Sequence, residues 1–369
     1  MKQQISRFQF SILVGNFIYS STLISQPQIL IQLSKQNIWI VALIGYLISL
    51  ILIPVFIGNE KKLSRVHGLF DSKKLTLLQK SYAGSFLLFF FLIFIRDFSA
   101  IIHFIGNILL PKTPIDFIAL LIILCLLYIS NGGMEVIARV TGIHFFVIFL
   151  TVLTLPALLM NEMQLGNLLP IGGVNSVAGI GKSTYLLIAS IGEMVVMLFL
   201  LNYVKPFKKI KKATILGISI FFIIFFISSV LNVTVLGVGV AKEATYPNFL
   251  VVQQIHLTDF LDRLDLILVL LWLPTVFCKL ALVLYAIQKL LNGIMGKELR
   301  FTLFPLGIIL SLCIHLFKDN IESLEFAFFT WPTLGIALEG IIFILFIWIK
   351  LKQSNSGKHK SSEKKSIKA

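Results

Sequence analysis

The 369-residue chain is 57% apolar and only 13% charged, with a mean hydropathy of +0.94, against roughly 25% charged residues in an ordinary soluble protein. That composition excludes a water-facing globular surface, and 33 Phe among long Ile and Leu runs exclude a disordered chain. A net charge of +15 would suggest nucleic acid in a soluble protein. Here the basic residues sit in short loops and a tail beside apolar runs, which signals cytoplasmic orientation and contact with anionic lipid rather than nucleic acid.

A lipid-spanning backbone must be helical or a closed barrel, and a helix crosses with about 17–25 apolar residues. The runs here are continuous rather than short and alternating, so they predict helices. Ten spans are expected, at 8–31, 37–57, 82–104, 114–130, 141–160, 184–204, 214–240, 264–291, 301–317 and 333–350. The first is longer than a signal-peptide core and has no small-residue cleavage site after it, so it reads as a span. The expected domains are a ten-helix permease-like unit, 1–350, and a basic cytoplasmic tail, 351–369, predicted to be disordered.

Lys and Arg counts orient the spans. With the N-terminus inside, 24 of the 32 fall on cytoplasmic segments and six outside. The richest segments are the loop 58–81, the cluster from Lys205 to Lys212, and the tail after Lys350. Both termini are therefore expected in the cytoplasm.

Ten spans divide at the loop 161–183 into five plus five. Five is odd, so the second half enters the membrane in the opposite sense, as an inverted-repeat transporter scaffold requires. Such folds bind substrate near the midplane, where the first helix of each half is interrupted. The first span carries Asn16, Ser20, Ser21, Thr22 and Ser25 before Pro27, and the sixth carries Ser190, Gly192 and Glu193. The bland alternative is that Ser and Thr bond back to their own helix and Gly simply packs closely.

Charges inside spans are costly, about 2.5–3.5 kcal/mol each at a helix centre on insertion scales. Arg96, Asp97, Glu193 and Lys279 occupy such positions, and their charges sum to zero. Facing one interior, they can neutralise one another as a structural ion-pair set, line a polar cavity, or hold the ammonium and carboxylate of a zwitterion. His103 and His144 sit near span ends and read as interfacial.

Three further features carry no chemistry. Cys125, Cys278 and Cys313 lie in apolar runs and fit neither a disulfide framework nor a metal site. Gly181-Lys182-Ser183-Thr184 resembles the end of a P-loop, but Ser176 stands where the first Gly is needed and no strand precedes it. Asn232-Val233-Thr234 is a glycosylation sequon placed inside a span. No catalytic constellation, metal or cofactor motif appears, so the sequence points away from an enzyme.

A series of short motifs runs along the chain: Arg96-Asp97-Phe98, then Leu110-Pro111-Lys112-Thr113-Pro114, and the stretch from Gly133 to Arg139 at the inner end of span 4. Asn167-Leu168-Leu169-Pro170, Gly192-Glu193, Tyr246-Pro247, and Arg263-Leu264-Asp265 leading to Trp272 complete it. In order and spacing this resembles the permease-like B subunit of spore germinant receptors, a branch of the amino acid–polyamine–organocation transporters. The resemblance implies a ten-span inverted-repeat fold and a pocket among spans 1, 3, 6 and 8. It implies partnership with an A subunit and a lipoprotein C subunit in the spore inner membrane, and recognition of a small germinant such as an amino acid. One departure stands out: Ser20-Ser21-Thr22 replaces the Gly-x-Gly break common in span 1, exchanging open backbone N–H groups for hydroxyls. The ligand-binding residues expected are Ser20, Ser21, Thr22, Arg96, Asp97, Gly192, Glu193 and Lys279. A proton-coupled amino-acid or polyamine transporter, using Glu193 or Asp97, is the alternative.

Overall fold

The computed structural model describes residues 3–23, 26–58, 60, 75–172, 174–207, 209–255, 264–296 and 303–366; apart from one bridge between Ile5 and Val204, the regular elements among them are helical. Lys2, Ser25, Lys61, Lys62, Arg65, Lys73, Lys74, Lys208, Arg263, Lys297, Arg300 and Lys368 lie outside the described residues. The first helices are α1 (Arg7–Leu23), α2 (Gln26–Ser34) and α3 (Ile38–Ile57). Then come α4 (Leu77–Phe104), α5 (Ile115–Asn131) and α6 (Gly133–Leu158). The second half begins with α7 (Val174–Gly192), a 3-10 turn (Glu193–Val195), α8 (Val196–Leu200), α9 (Ile210–Glu243) and the short α10 (Pro247–Gln253). It ends with α11 (Leu264–Met295), α12 (Leu303–Ser311), α13 (Asn320–Glu325), a π-helical turn (Phe326–Thr330) and α14 (Trp331–Ser366).

Seven stretches among the described residues are long and apolar enough to cross a bilayer, and Ile115–Asn131 and Leu303–Leu316 are shorter apolar helices. Their outward faces are greasy. On α3, Leu43, Leu47, Ile51 and Val55 recur every four residues and are 45–68% exposed, a stripe that water would penalise and lipid tails accept. The chain is an all-helical, multi-pass membrane protein.

Helix bounds depart from the hydropathy reading in instructive places. α1 and α2 flank residues 24–25, which lie outside the described residues, and Gly192 ends α7 where the chain tightens into the 3-10 turn. The stretch Gly133–Arg139, expected at the inner end of the fourth span, forms the first turns of α6 instead. Gly132 alone separates α5 from α6, and Gly133 has φ +77, a conformation open to glycine. α7 starts ten residues earlier than expected, at Val174, so the Gly181–Thr184 stretch is helical and the Ser183 hydroxyl donates to the Leu30 carbonyl at 3.0 Å. The tail also differs: α14 continues to Ser366 where disorder was expected. A formed span removes the nucleation cost, so each further residue gains a hydrogen bond as it adds.

Packing brings corresponding helices of the two halves into matching partnerships. α1 packs on α9 as α7 packs on α3; α4 packs on α14 as α11 packs on α6; α1 meets α6 as α7 meets α14. The α1–α9 crossing is a backbone contact: a Cβ at Gly15 would stand 2.6 Å from the Gly217 carbonyl oxygen, and one at Gly217 would overlap the Ser11 carbonyl.

The connections sort to two ends. At one end Ile5 N–H donates to Tyr203 O (2.9 Å), Lys205 N–H donates to Ile5 O (3.0 Å), and Gln4 N–H donates to Glu135 (2.9 Å). There Gln3 Oε1 accepts from Met134 N–H (2.9 Å) and Tyr285 Oη (2.8 Å), and Lys209 N–H donates to Glu60 (3.0 Å). At the other end Gln36 donates to Pro170 O (2.9 Å), Gly172 N–H to Asn37 (3.1 Å), and Gln164 N–H to Thr234 O (2.9 Å). Segments assigned to one side by charge are thus held together at one end.

Candidate functional site

The four expected charges meet. Arg96 and Asp97 come from the C-terminal half of α4, Glu193 opens the 3-10 turn after α7, and Lys279 lies midway along α11; all are buried. Arg96 pairs with Asp97 and with Glu193, each at 2.7 Å, and Lys279 pairs with Asp97 and with Glu193, again at 2.7 Å. Each cation thus serves both anions, and the ring closes on itself. A lone buried charge is expensive, and here mutual attraction and multiple hydrogen bonds offset the desolvation. Aromatic rings complete the shell: Arg96 lies 4.5 Å from the Trp331 ring centroid and Lys279 4.6 Å from that of Phe17.

Ser21, at the end of α1, joins the ring. Its hydroxyl donates to Glu193 Oε2 at 2.6 Å and accepts from Arg96 at 3.1 Å and from Lys279. Its neighbours do something simpler. Ser20 Oγ donates to the Asn16 carbonyl (2.8 Å) and Thr22 Oγ1 to the Tyr19 carbonyl (2.9 Å). Back-bonding therefore accounts for Thr22 and in part for Ser20, while Ser21 alone of the three reaches the charges.

A small cavity lies against this ring. Ser20, Ser21, Arg96 and Asp97 line it; Thr22, Gly192, Glu193 and Lys279 do not. Its far walls come from residues sequence reasoning passed over. Gln26 opens α2 and donates to Ser190 Oγ of α7 at 2.8 Å, tying α2 to α7. Trp331 and Phe328 close the side formed by the π-helical turn and α14. The end of α1, the start of α2 and a π-helical turn, a form concentrated at functional sites, therefore converge on one cavity.

Glu339 is a fifth buried residue of the Asp, Glu, Lys and Arg class among the described residues, overlooked because it lies in a span otherwise read only for hydropathy. It sits on α14, 6% exposed, against Gly192: a Cβ at position 192 would fall within its carboxylate. The signal was available as a single acidic residue inside an apolar run, at Leu338-Glu339-Gly340.

The architecture is that of an all-helical membrane protein with a transporter-like fold. The chain shares its fold with Mhp1, a nucleobase-cation-symport-1 family transporter, in a closed conformation with bromovinylhydantoin bound: TM-score 0.57 and 14% identity, covering 93% of this chain and 78% of that one. Against the inward-facing conformation of Mhp1 the TM-score is 0.52. The chain belongs to the spore germination protein family of spore permeases, which it matches over residues 4–323. Among relatives, Bacillus subtilis (strain 168) YfkT is 28% identical over 307 residues, 81% of this chain and 82% of that protein. Spore germination protein KB of the same organism is 24% identical, with 96% of this chain and 98% of that protein covered. Spore germination protein B2 is 22% identical, with 73% and 74% covered.

Proposed function

We propose that this protein is the membrane-embedded subunit of a spore germinant receptor, and that it binds a small germinant, an amino acid or similar nutrient, to trigger germination. The observation that carries this reading is the cavity wall. Of the four ring charges, one cation and one anion, Arg96 and Asp97, reach the cavity side by side. A zwitterion offers the complementary pair, its carboxylate to Arg96 and its ammonium to Asp97. Glu193 and Lys279 hold those two groups from behind. A ligand that takes one arm of Arg96 or Asp97 redistributes the ring, and the ring spans α1, α4, α11 and the turn after α7. Binding energy is thereby turned into relative helix movement.

The scaffold in this reading is ten spans in a five-plus-five inverted repeat. It is supported by the matched helix partnerships, which persist when each helix is exchanged for its counterpart in the other half. The receptor would work in the spore inner membrane with A and C subunits, its basic loops against anionic lipid. A second reading, a proton-coupled amino-acid or polyamine transporter, is favoured by the fold shared with a cation symporter.

Two experiments test the proposal. Spores carrying Ser21→Leu should lose the response while the protein stays in the membrane, because the branched side chain breaks three bonds in the ring and fills the cavity edge. Thr22→Leu should act more mildly. Germination across a panel of amino acids, nucleosides and sugars, compared with a deletion strain, reads the effect; an unchanged concentration dependence in Ser21→Leu spores would refute the pocket. For sidedness, cysteines introduced at 205–213 should resist an impermeant reagent applied outside intact cells, since this basic segment is held against the N-terminus. Labelling there would invert the topology.

A further inference from the structure

Arg96, Asp97, Glu193 and Lys279 are complete without Glu339. Two cations face two anions, and an ionised Glu339 would leave the buried core with one uncompensated negative charge. No cation lies within ion-pair distance of it among the described residues, and its Oε1 is buried with no hydrogen-bond partner. The groups facing it are few. α14 packs on α4, α7 and the 193–195 turn; α4 brings Arg96 and Asp97, the turn brings Glu193, and α7 brings the bare backbone of Gly192. Phe56 of α3 packs on Phe343 of α14, and α3 carries no Asp, Glu, Lys or Arg. Arg96 is already bonded to two carboxylates and Ser21, and Glu193 is a like charge.

We propose that Glu339 is a proton-binding site beside the four-charge ring, holding its proton while the ring is closed. A neutral carboxyl avoids the desolvation cost of an unpaired anion. A hard metal cation is a poorer occupant, since it needs several oxygens and no group of three metal-ligating side chains occurs among the described residues. Gly192 acquires a role from the same geometry: it leaves the space the carboxyl fills. Release of the proton to water would place a second carboxylate beside Glu193, competing for Arg96 and loosening the 2.7 Å Arg96–Glu193 pair. Proton occupancy and ring closure are therefore linked, and by reciprocity anything that opens the ring changes proton affinity. The inference does not depend on which solute the cavity binds.

The test uses the full chain in lipid vesicles, with the proton as probe. At neutral pH infrared spectroscopy should show a protonated-carboxyl C=O band that Glu339→Gln removes and Gly192→Ala shifts. Stability gives an independent readout. The unfolded chain gives up this proton above about pH 4.3 while the native state keeps it, so stability must fall as pH rises until the native state also lets go. The thermal midpoint of the wild type should therefore decline over that range more steeply than that of Glu339→Gln. Identical bands and identical pH slopes in the two proteins would overturn the proposal, as would a midpoint that answers to added sodium instead of pH.

Discussion

Replacing Glu193 by Gln, or Lys279 by Met, should each deplete the protein from the membrane, whereas the double replacement should restore it. Glu193→Gln leaves Arg96 and Lys279 sharing Asp97 alone; Lys279→Met leaves Asp97 and Glu193 sharing Arg96 alone. Either way one buried charge is in excess, at a cost of about 3–5 kcal/mol for a broken buried pair. Together the two changes leave Arg96 and Asp97, a neutral pair at 2.7 Å. Membrane abundance and thermal midpoint of the four proteins form a double-mutant cycle. Strictly additive losses would mean that Glu193 and Lys279 do not interact. If the double variant assembles yet fails to respond to germinant, the ring serves signalling as well as structure; full recovery of response would make it structural only.

A large loss is also expected from Gly217→Ala, one methyl group added at the buried crossing of α9 on α1. Its Cβ would meet backbone atoms of Ser11, and backbone, unlike a side-chain tip, cannot rotate aside. Overpacking usually costs about 1–3 kcal/mol, occasionally more, and separating α1 from α9 also disturbs the helix that carries Ser21. Gly142→Ala is the matched control, because nothing lies within 4 Å of a Cβ there and Ala favours the helix by roughly 0.5–1 kcal/mol. Thermal midpoints in detergent should fall for the first and hold or rise for the second. Equal behaviour would refute the close crossing of α1 and α9.

These two experiments address different kinds of information. The membrane class, the approximate spans and the rarity of intramembrane charge were legible in the chain because lipid imposes a one-dimensional rule: apolar length, with a penalty for each charge. Arg96, Asp97, Glu193 and Lys279 stood out by that rule. The turn at Gly192-Glu193 was legible for a related reason, since polar and small residues are conspicuous within such runs.

Contact depends on azimuth and depth, which composition does not encode. Ser20, Ser21 and Thr22 are adjacent hydroxyls on one helix, and at about 100° per residue only Ser21 is turned toward Glu193 and Lys279. Gln26 became part of the cavity because the start of α2 lies close enough to α7 for its amide to reach Ser190. Glu339 gained its place only when α14 laid it on Gly192, outside a ring whose charges were already balanced. By itself, then, the sequence determined the membrane fold class, the candidate spans and which buried residues must find partners, because insertion energy is local to each segment. Only the tertiary structure decided which partners they found, because pair energies act over a few ångströms between helices far apart in the chain.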